Sequence, residues 1–183
     1  MPNWVKGNIR FRGKTEDILE FLKNEFVFIG VRPNSENLAD RIAVFKPDVF
    51  IDEDHDICIK WPEESTYEKL TQCCVHIKGT ERNFLDRGFR HLKEWLVPDF
   101  DTYDDRENER IILFDRFKAA WNVDPEPYVN FSKKYNIDIR IDGWEGGMEF
   151  YVNLVIENGE IKRHTRINYD DWAWDSEMPQ LGG

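Results

Sequence analysis

The chain of 183 residues has no long apolar run and fewer cations than anions. Its apolar stretches, such as residues 111–114, are only a few residues long, whereas a membrane-spanning helix needs about 20. The first residues show no apolar core of a secretory signal, and the last residues match no lipidation or retention motif. We therefore expect a cytoplasmic protein that does not bind membranes.

Cysteine is scarce, and basic residues are outnumbered. The cysteines Cys58, Cys73 and Cys74 are an odd set, which argues against a disulfide scaffold. The chain has 36 acidic and 25 basic residues, for a formal net charge of −11. This balance disfavours a nonspecific grip on nucleic acid or on an acidic membrane and favours a basic protein partner.

The hydrophobic pattern predicts a mixture of strands and helices. Residues 4–12 alternate between apolar and polar side chains, as in a strand with one buried face, and Thr15 opens an amphipathic helix. The Asn158–Gly159 dipeptide between residues 148–157 and 160–168 is typical of a type I′ hairpin turn. Between these ends the pattern predicts strands at 27–31, 42–44, 49–51, 57–61, 70–78, 110–119 and 137–141, helices at 81–96 and 125–134, and an acidic loop at 99–109.

Three sequence blocks resemble one family. They are Met-Pro-Asn-Trp at residues 1–4, the segment 114–121 followed by Pro125, Pro127 and Tyr135, and the glycine-containing segment 144–150. Together they are similar to the YubB-like ferredoxin-fold family of phage, plasmid and prophage proteins. Asn136 stands where the family has proline, and residues 27–100 are mostly unmatched.

The resemblance implies an α+β fold, a ferredoxin-like antiparallel sheet backed by helices with a middle insertion at about 27–100. We expect residues 1–169 to form a single α+β domain and residues 170–183 to form an acidic C-terminal tail or arm. A mobile-element origin implies the cytoplasm of a bacterial host cell. The family supplies no catalytic residue, so the resemblance assigns no active site.

Residue chemistry gives little support for an enzyme or a metal site. Asp52, Asp54, Asp56 and Glu63 fit positions of a calcium-binding loop, but Ile57 replaces the glycine that such a loop needs. The cysteines lack the Cys-x-x-Cys spacing of zinc sites, and no phosphate-binding glycine motif is present. We expect a protein without catalytic activity, cofactor or metal.

Acidic residues are concentrated in blocks interspersed with aromatic residues, which can match a positively charged surface of a partner. The sequence therefore predicts a phage or mobile-element accessory protein that inhibits a nucleic-acid-handling host defence protein, such as a CRISPR nuclease, in the manner of an anti-CRISPR protein. The inhibitor itself would be a monomer or a homodimer. The predicted partner-binding residues are Asp52, Glu53, Asp54, Asp56, Asp101, Asp104 and Asp105, with Trp61 and Tyr103 as anchors.

The alternative prediction is binding of DNA or RNA by the basic face of an open β-sheet. Alternation places basic residues on one face of the first strand and on one face of the last. Such a face can contact phosphates and stack bases. The candidate residues are Trp4, Lys6, Arg10, Arg12, Lys162, His164 and Arg166.

Overall fold

The structure is a computed structural model that describes residues 3–32, 41–60, 71–86, 98, 100–104 and 108–181. In chain order the elements are β1 (Trp4–Lys14), α1 (Thr15–Glu25), β2 (Phe26–Val31), β3 (Ile42–Phe45), β4 (Asp48–Ile51), β5 (Ile57–Lys60), β6 (Thr71–Ile77), β7 (Asn83–Asp86), β8 (Phe100–Asp104), β9 (Glu109–Ala120), α2 (Glu126–Tyr135), β10 (Asp138–Glu145), β11 (Phe150–Glu157), β12 (Glu160–Asn168) and α3 (Trp172–Asp175). None of the helices in these ranges is both long and apolar enough to cross a bilayer.

Ten strands form one sheet in the order β12-β11-β10-β1-β9-β7-β6-β2-β3, with β8 paired to the first half of β9. Every pair in this sheet is antiparallel. Strands β4 and β5 form a separate antiparallel hairpin. The long strand β1 lies near the middle of the sheet, between β9 and β10.

The two faces of the sheet differ because β1 alternates as the sequence predicts. Val5, Ile9 and Phe11 are fully buried, and the intervening polar residues are half-buried. Helices α1 and α2 pack together on the buried side, where Phe21 of α1 lies 4.8 Å from Phe11 and 5.5 Å from Tyr135 of α2 between ring centroids. We call this side the helix face, and the side of Lys6, Asn8, Arg10 and Arg12 the open face.

The expectation of a ferredoxin-like sheet backed by helices is wrong, because the fold is mostly a large antiparallel sheet. Part of the predicted helix 81–96 is strand β7, in which Asn83 and Leu85 are buried on one face. The neighbours Phe84 and Leu85 look like a helix stripe in sequence, but pairing with β6 and β9 sends them to opposite faces. Residues 87–97 of that prediction lie outside the described residues.

Part of the predicted acidic loop 99–109 is also a strand, β8, which pairs with β9. Strands β2, β3, β6 and β7, all within the interval predicted as an insertion, continue the same sheet. The predicted helix at Thr15 and the predicted Asn158–Gly159 hairpin are confirmed. Asn158 and Gly159 have φ angles of 52° and 72°, the left-handed values that a type I′ turn requires.

Candidate functional site

Three arginines form a row across four strands on the open face. Arg10 of β1 pairs with Arg140 of β10, Arg140 pairs with Val155 of β11, and Val155 pairs with Arg163 of β12. Neighbouring strands lie about 4.8 Å apart, so the row extends about 14 Å across the sheet. We call Arg10, Arg140 and Arg163 the basic row.

The basic row lines a groove of about 480 Å³ on the open face. Arg12 and Lys162 also line this groove, together with the carboxylates of Asp138 and Glu157. Two further carboxylates pair with groove cations, Asp142 with Arg140 and Glu160 with Lys162, so five cations outnumber four carboxylates. A positive groove is an exception in a chain with a net charge of −11. The groove therefore attracts anions where the rest of the protein repels them.

The cations of the groove differ in whether a carboxylate already neutralises them. Arg12 donates hydrogen bonds to Asp138 and to Glu157, the latter at 3.2 Å. The Lys162 ammonium lies 2.6 Å from Glu160. Within the described part of the chain, Arg10 and Arg163 form no ion pair, and Nε of Arg10 is buried without an acceptor. These two arginines remain available to an anionic ligand.

Arg140 is held in place by a buried carboxylate. Its Nε donates to Asp142 Oδ2 at 2.8 Å, while Asp142 Oδ1 accepts bonds from Tyr151 Oη at 2.6 Å and Asn153 Nδ2 at 2.7 Å. Burial by itself raises the pKa of Asp142, but the hydrogen bonds from Arg140 and Tyr151 outweigh it and leave the pKa below its ordinary value. A charged Asp142 therefore fixes the middle arginine of the basic row at neutral pH.

A β-bulge decides which basic residues of β12 reach the groove. Ile156 pairs with Ile161, but Val155 pairs with Arg163, so Lys162 is an extra residue at this point. Past the bulge the alternation is reversed, and Arg163 instead of His164 lies on the open face. The predicted grouping of His164 and Arg166 with the basic residues of β1 is therefore wrong.

His164 and Arg166 lie on the helix face instead. His164 pairs with the buried Leu154, and the Arg166 guanidinium stacks 3.6 Å from the centroid of the Phe150 ring. This cation–π contact covers the edge of the core. Arg166 therefore contributes to packing at a sheet edge away from the groove.

Trp4, predicted as a base-stacking residue, has its ring in contact with other side chains. The Lys118 ammonium and the Arg82 guanidinium lie 5.1 and 5.6 Å from its ring centroid, and Phe84 meets it edge to face at 6.1 Å. Lys6, on the same strand, pairs in register with Lys118 of β9, and the Lys118 ammonium lies 2.6 Å from a carboxylate oxygen of Asp86. The side chains around the Trp4 ring therefore occupy positions where a base would have to stack.

The predicted acidic site lies at the β4–β5 hairpin, on the helix side of the sheet. Asp52 closes the hairpin, because its Oδ1 accepts backbone bonds from Asp56 at 2.9 Å and Asp54 at 3.0 Å. The bond from the Asp56 backbone is the main reason why the pKa of Asp52 lies below its ordinary value. Glu53 and Asp54 are exposed at the tip, and Asp56 is half-buried.

Asp101, also predicted to bind a partner, is buried in an ion pair. Its side chain is 4% exposed and accepts two bonds from Arg110, at 3.0 and 2.5 Å. Arg110 also donates to the backbone oxygen of His55 at 2.6 Å, and Asp101 accepts from the amide of Ile57 at 3.4 Å. The pair therefore fastens the hairpin to β8 and β9 and cannot face a partner.

The remaining predicted acidic-site residues are placed only in part. Tyr103 and Asp104 belong to β8, where they pair with Arg110 and Glu109. Trp61 and Asp105 lie outside the described residues, as does Glu63 of the calcium-loop pattern. Among the described residues, no three histidine, cysteine, aspartate or glutamate side chains are grouped so that they could hold a metal ion.

The cysteines of the chain are poor nucleophiles at neutral pH. Burial raises the pKa of the Cys58 thiol to about 12 and that of the Cys74 thiol to about 11, so both stay protonated. Burial also raises the pKa of Cys73. His76 shares a face with Cys74, but its Nε2 lies 3.1 Å from the Thr80 backbone oxygen.

Arg140 and Arg163 are not among the candidate residues that the sequence predicts. Alternation along residues 137–141 does place Arg140 on the polar face of its strand, but only the strand order shows that it lies beside Arg10. For Arg163 the sequence holds no signal, because β12 is exposed on both faces and its hydropathy cannot reveal the bulge.

A scan against family models finds no match for this chain, and comparisons with curated proteins and with solved structures find none either. The YubB-like resemblance therefore stays a prediction. The proposals below rest on the geometry and charge of the described residues.

Proposed function

We propose that this protein binds single-stranded nucleic acid through the groove on its open face, without a catalytic step. One observation carries the proposal: Arg10 and Arg163, which have no carboxylate partner among the described residues, flank a fixed Arg140 in one row. Guanidinium groups bind phosphate oxygens in a bidentate way, and an open sheet accepts an extended strand.

The charge of the rest of the chain limits this binding to the groove. A phosphate backbone that leaves the groove meets a protein with 36 acidic residues, which repels it. The five cations that line the groove therefore set the upper limit on the number of phosphate contacts. We expect binding that is weak at physiological salt and clearly measurable at low salt.

The test is fluorescence anisotropy of labelled 12-nucleotide single-stranded RNA and DNA at about 50 mM salt, where phosphate contacts are strong. Replacing Arg10 and Arg163 by alanine should weaken binding at least tenfold, because the loss of even one charge-assisted contact costs about 1.5–3 kcal/mol and about 1.4 kcal/mol is a factor of ten. A duplex of the same length should bind more weakly, since its paired bases cannot stack on the protein.

The matched control replaces two exposed lysines of the helix side, Lys23 and Lys133, by alanine. It removes the same charge and should change affinity by less than twofold. Equal losses in the two double variants, or no binding by the wild type, would contradict the proposal.

A second candidate is inhibition of a basic, nucleic-acid-handling host protein such as a CRISPR nuclease. The observation that favours it is the anchored hairpin tip, where the exposed Glu53 and Asp54 are held by Asp52 and by the Asp101–Arg110 pair. Fixed carboxylates can steer a partner toward an interface.

A pull-down from bacterial lysate, followed by a cleavage assay with the nuclease recovered, tests this second candidate. The variant Glu53→Gln/Asp54→Asn should lose the partner, while Glu16→Gln/Glu20→Gln, on the exposed side of α1, should keep it. Retention of the partner and of inhibition by the hairpin variant would rule this candidate out.

A further inference from the structure

The segment after β12 turns back over the open face. We call residues 169–181 the arm. The amide of Tyr169 donates to the backbone oxygen of Glu149 at 2.8 Å. A side chain at Gly146 would meet the Trp172 ring at 3.6 Å and the backbone oxygen of Leu181 at 3.4 Å, so both pack on this turn. Leu181 also lines a depression beside Lys6 on the open face.

An aromatic pair lies on the open face at this place. Trp144 pairs with Lys6 on one side and with Tyr151 on the other, and the two aromatic rings are 5.0 Å apart. This row is two rows from the basic row, about 14 Å along the strands. Both rows lie on the same face of the sheet.

Trp144 is buried and Tyr151 is half-buried, although the pair faces away from the helices. Trp144 is 8% exposed, and its Nε1 is buried without an acceptor. Burial and the bond to Asp142 raise the pKa of Tyr151, and Glu177 of the arm is close enough to add a smaller contribution in the same direction. We attribute the burial of Trp144 to the arm. In this closed position Nε1 of Trp144 has no acceptor, which is expected to cost stability.

The arm is suited to being displaced. Its Trp172 indole bonds within the arm, to the backbone oxygen of Pro179, and its Trp174 is 86% exposed. The arm carries four acids, Asp170, Asp171, Asp175 and Glu177, and the last of these lies near Tyr151 on the face that holds the basic row. A phosphate backbone in the groove would therefore repel the arm.

We propose that Trp144 and Tyr151 form a second, base-stacking subsite for single-stranded nucleic acid, which the arm covers until the nucleic acid displaces it. This inference rests on the proposed function, since the strand that occupies the basic row supplies the base. When nucleic acid displaces the arm, the arm loses its contacts with the sheet and a base stacks on the aromatic pair. The measured affinity of the full chain is then the affinity of the open form multiplied by the fraction of molecules whose arm is open.

The first experiment compares the full chain with a variant that ends at Tyr169, using the same labelled oligonucleotides. One stacked base contributes about fivefold to a hundredfold in affinity, and we expect the truncated protein to bind more tightly within that range. The truncation also removes four acids, so the control Glu16→Gln/Glu20→Gln/Glu53→Gln/Asp54→Asn removes four exposed acids elsewhere. The control should bind at most twofold more tightly than the wild type.

The second experiment isolates the aromatic contribution. Trp144→Leu should remove most of the gain in the truncated protein and should change the affinity of the full chain far less. Because Trp144 is buried, hydrogen exchange of the full wild-type chain provides a measurement that needs no core variant. The amides of Trp174 and Ser176, bonded to Asp171 and Trp172, should exchange faster when the oligonucleotide is bound.

The outcomes separate this inference from the proposed function. If the full chain binds, but truncation leaves the affinity unchanged and bound oligonucleotide leaves the exchange of the arm amides unchanged, the subsite is refuted while groove binding stands. If the four-acid control gains as much as the truncation, charge explains the gain and the subsite is refuted. If neither form binds, the proposed function fails, and this inference fails with it.

Discussion

Replacing Asp101 by asparagine should lower the free energy of unfolding by about 3–5 kcal/mol, the usual cost of breaking a buried ion pair at one partner. The sequence places Asp101 in an acidic block, where neutralisation would ordinarily relieve repulsion. The structure predicts the opposite effect, because Arg110 is 3% exposed and forms an ion pair with this carboxylate.

The magnitude follows from the bonds that the substitution changes. Arg110 donates to both oxygens of Asp101, at 3.0 and 2.5 Å, and hydrogen bonds to charged groups contribute about 1.5–3 kcal/mol each. Asparagine keeps one acceptor oxygen and turns an NH₂ group toward the other donor. One charge-assisted bond to a buried guanidinium is lost, and the other is weakened.

Urea unfolding followed by tryptophan fluorescence measures this cost. Asp54→Asn is the matched control, since it removes an equal charge from the exposed hairpin tip and should change stability by less than about 0.5 kcal/mol. The double variant Asp101→Leu/Arg110→Leu should lose much less than the sum of the two single variants, because the buried charge leaves with its partner. A loss below about 1 kcal/mol for Asp101→Asn would refute the reasoning, since that is the range of an exposed pair.

Three further predictions concern stability and reactivity. Burial by itself raises the pKa of Glu25, but bonds from Tyr135 and Lys134 keep it below its ordinary value. The stabilising effect of Glu25 is therefore present at neutral pH and is lost as the pH falls through the lowered pKa. Glu25→Gln should flatten the acid limb of a stability curve, and an unchanged limb would contradict this. Gly7→Ala should unfold the protein or lower its melting temperature by more than about 5 °C, since its Cβ would lie 2.0 Å from the backbone oxygen of Asp142; a melting temperature within 2 °C of wild type by circular dichroism would contradict this. A thiol reagent at pH 7 should label none of the three cysteines within minutes in the native state and all three in denaturant; rapid native labelling of Cys74 would be inconsistent with its raised pKa.

Local patterns predicted the parts of the fold that depend on neighbouring residues. The alternation of β1 and the Asn158–Gly159 turn act within a few residues, and both appear as expected. The sequence predicts a helix where strand β7 lies, because the partners of this strand, β6 and β9, lie elsewhere in the chain. Pairing across the sheet overrides a local hydrophobic pattern when it buries residues such as Leu85.

The candidate site was only partly visible in the sequence for the same reason. Arg10 could be placed on a polar face, but its neighbours Arg140 and Arg163 are set by strand order and by one bulged residue. The acidic block gave the opposite error, because it included a buried carboxylate among the predicted partner-binding residues. Composition cannot distinguish the exposed Glu53 from Asp101, whose charge is used inside the protein.

The salt dependence of oligonucleotide affinity tests the central claim most directly. Each phosphate contacted on a single strand contributes about −0.7 to the slope of log K against log salt concentration, so three to five contacts predict a slope of about −2 to −3.5. Replacing Arg10 and Arg163 by alanine should reduce the magnitude of that slope by about 1.4, the share of two contacts. The Lys23→Ala/Lys133→Ala control should keep the wild-type slope, because both lysines lie on the helix side. A slope that is near zero in the wild type, or equal in the two double variants, would contradict binding by the basic row.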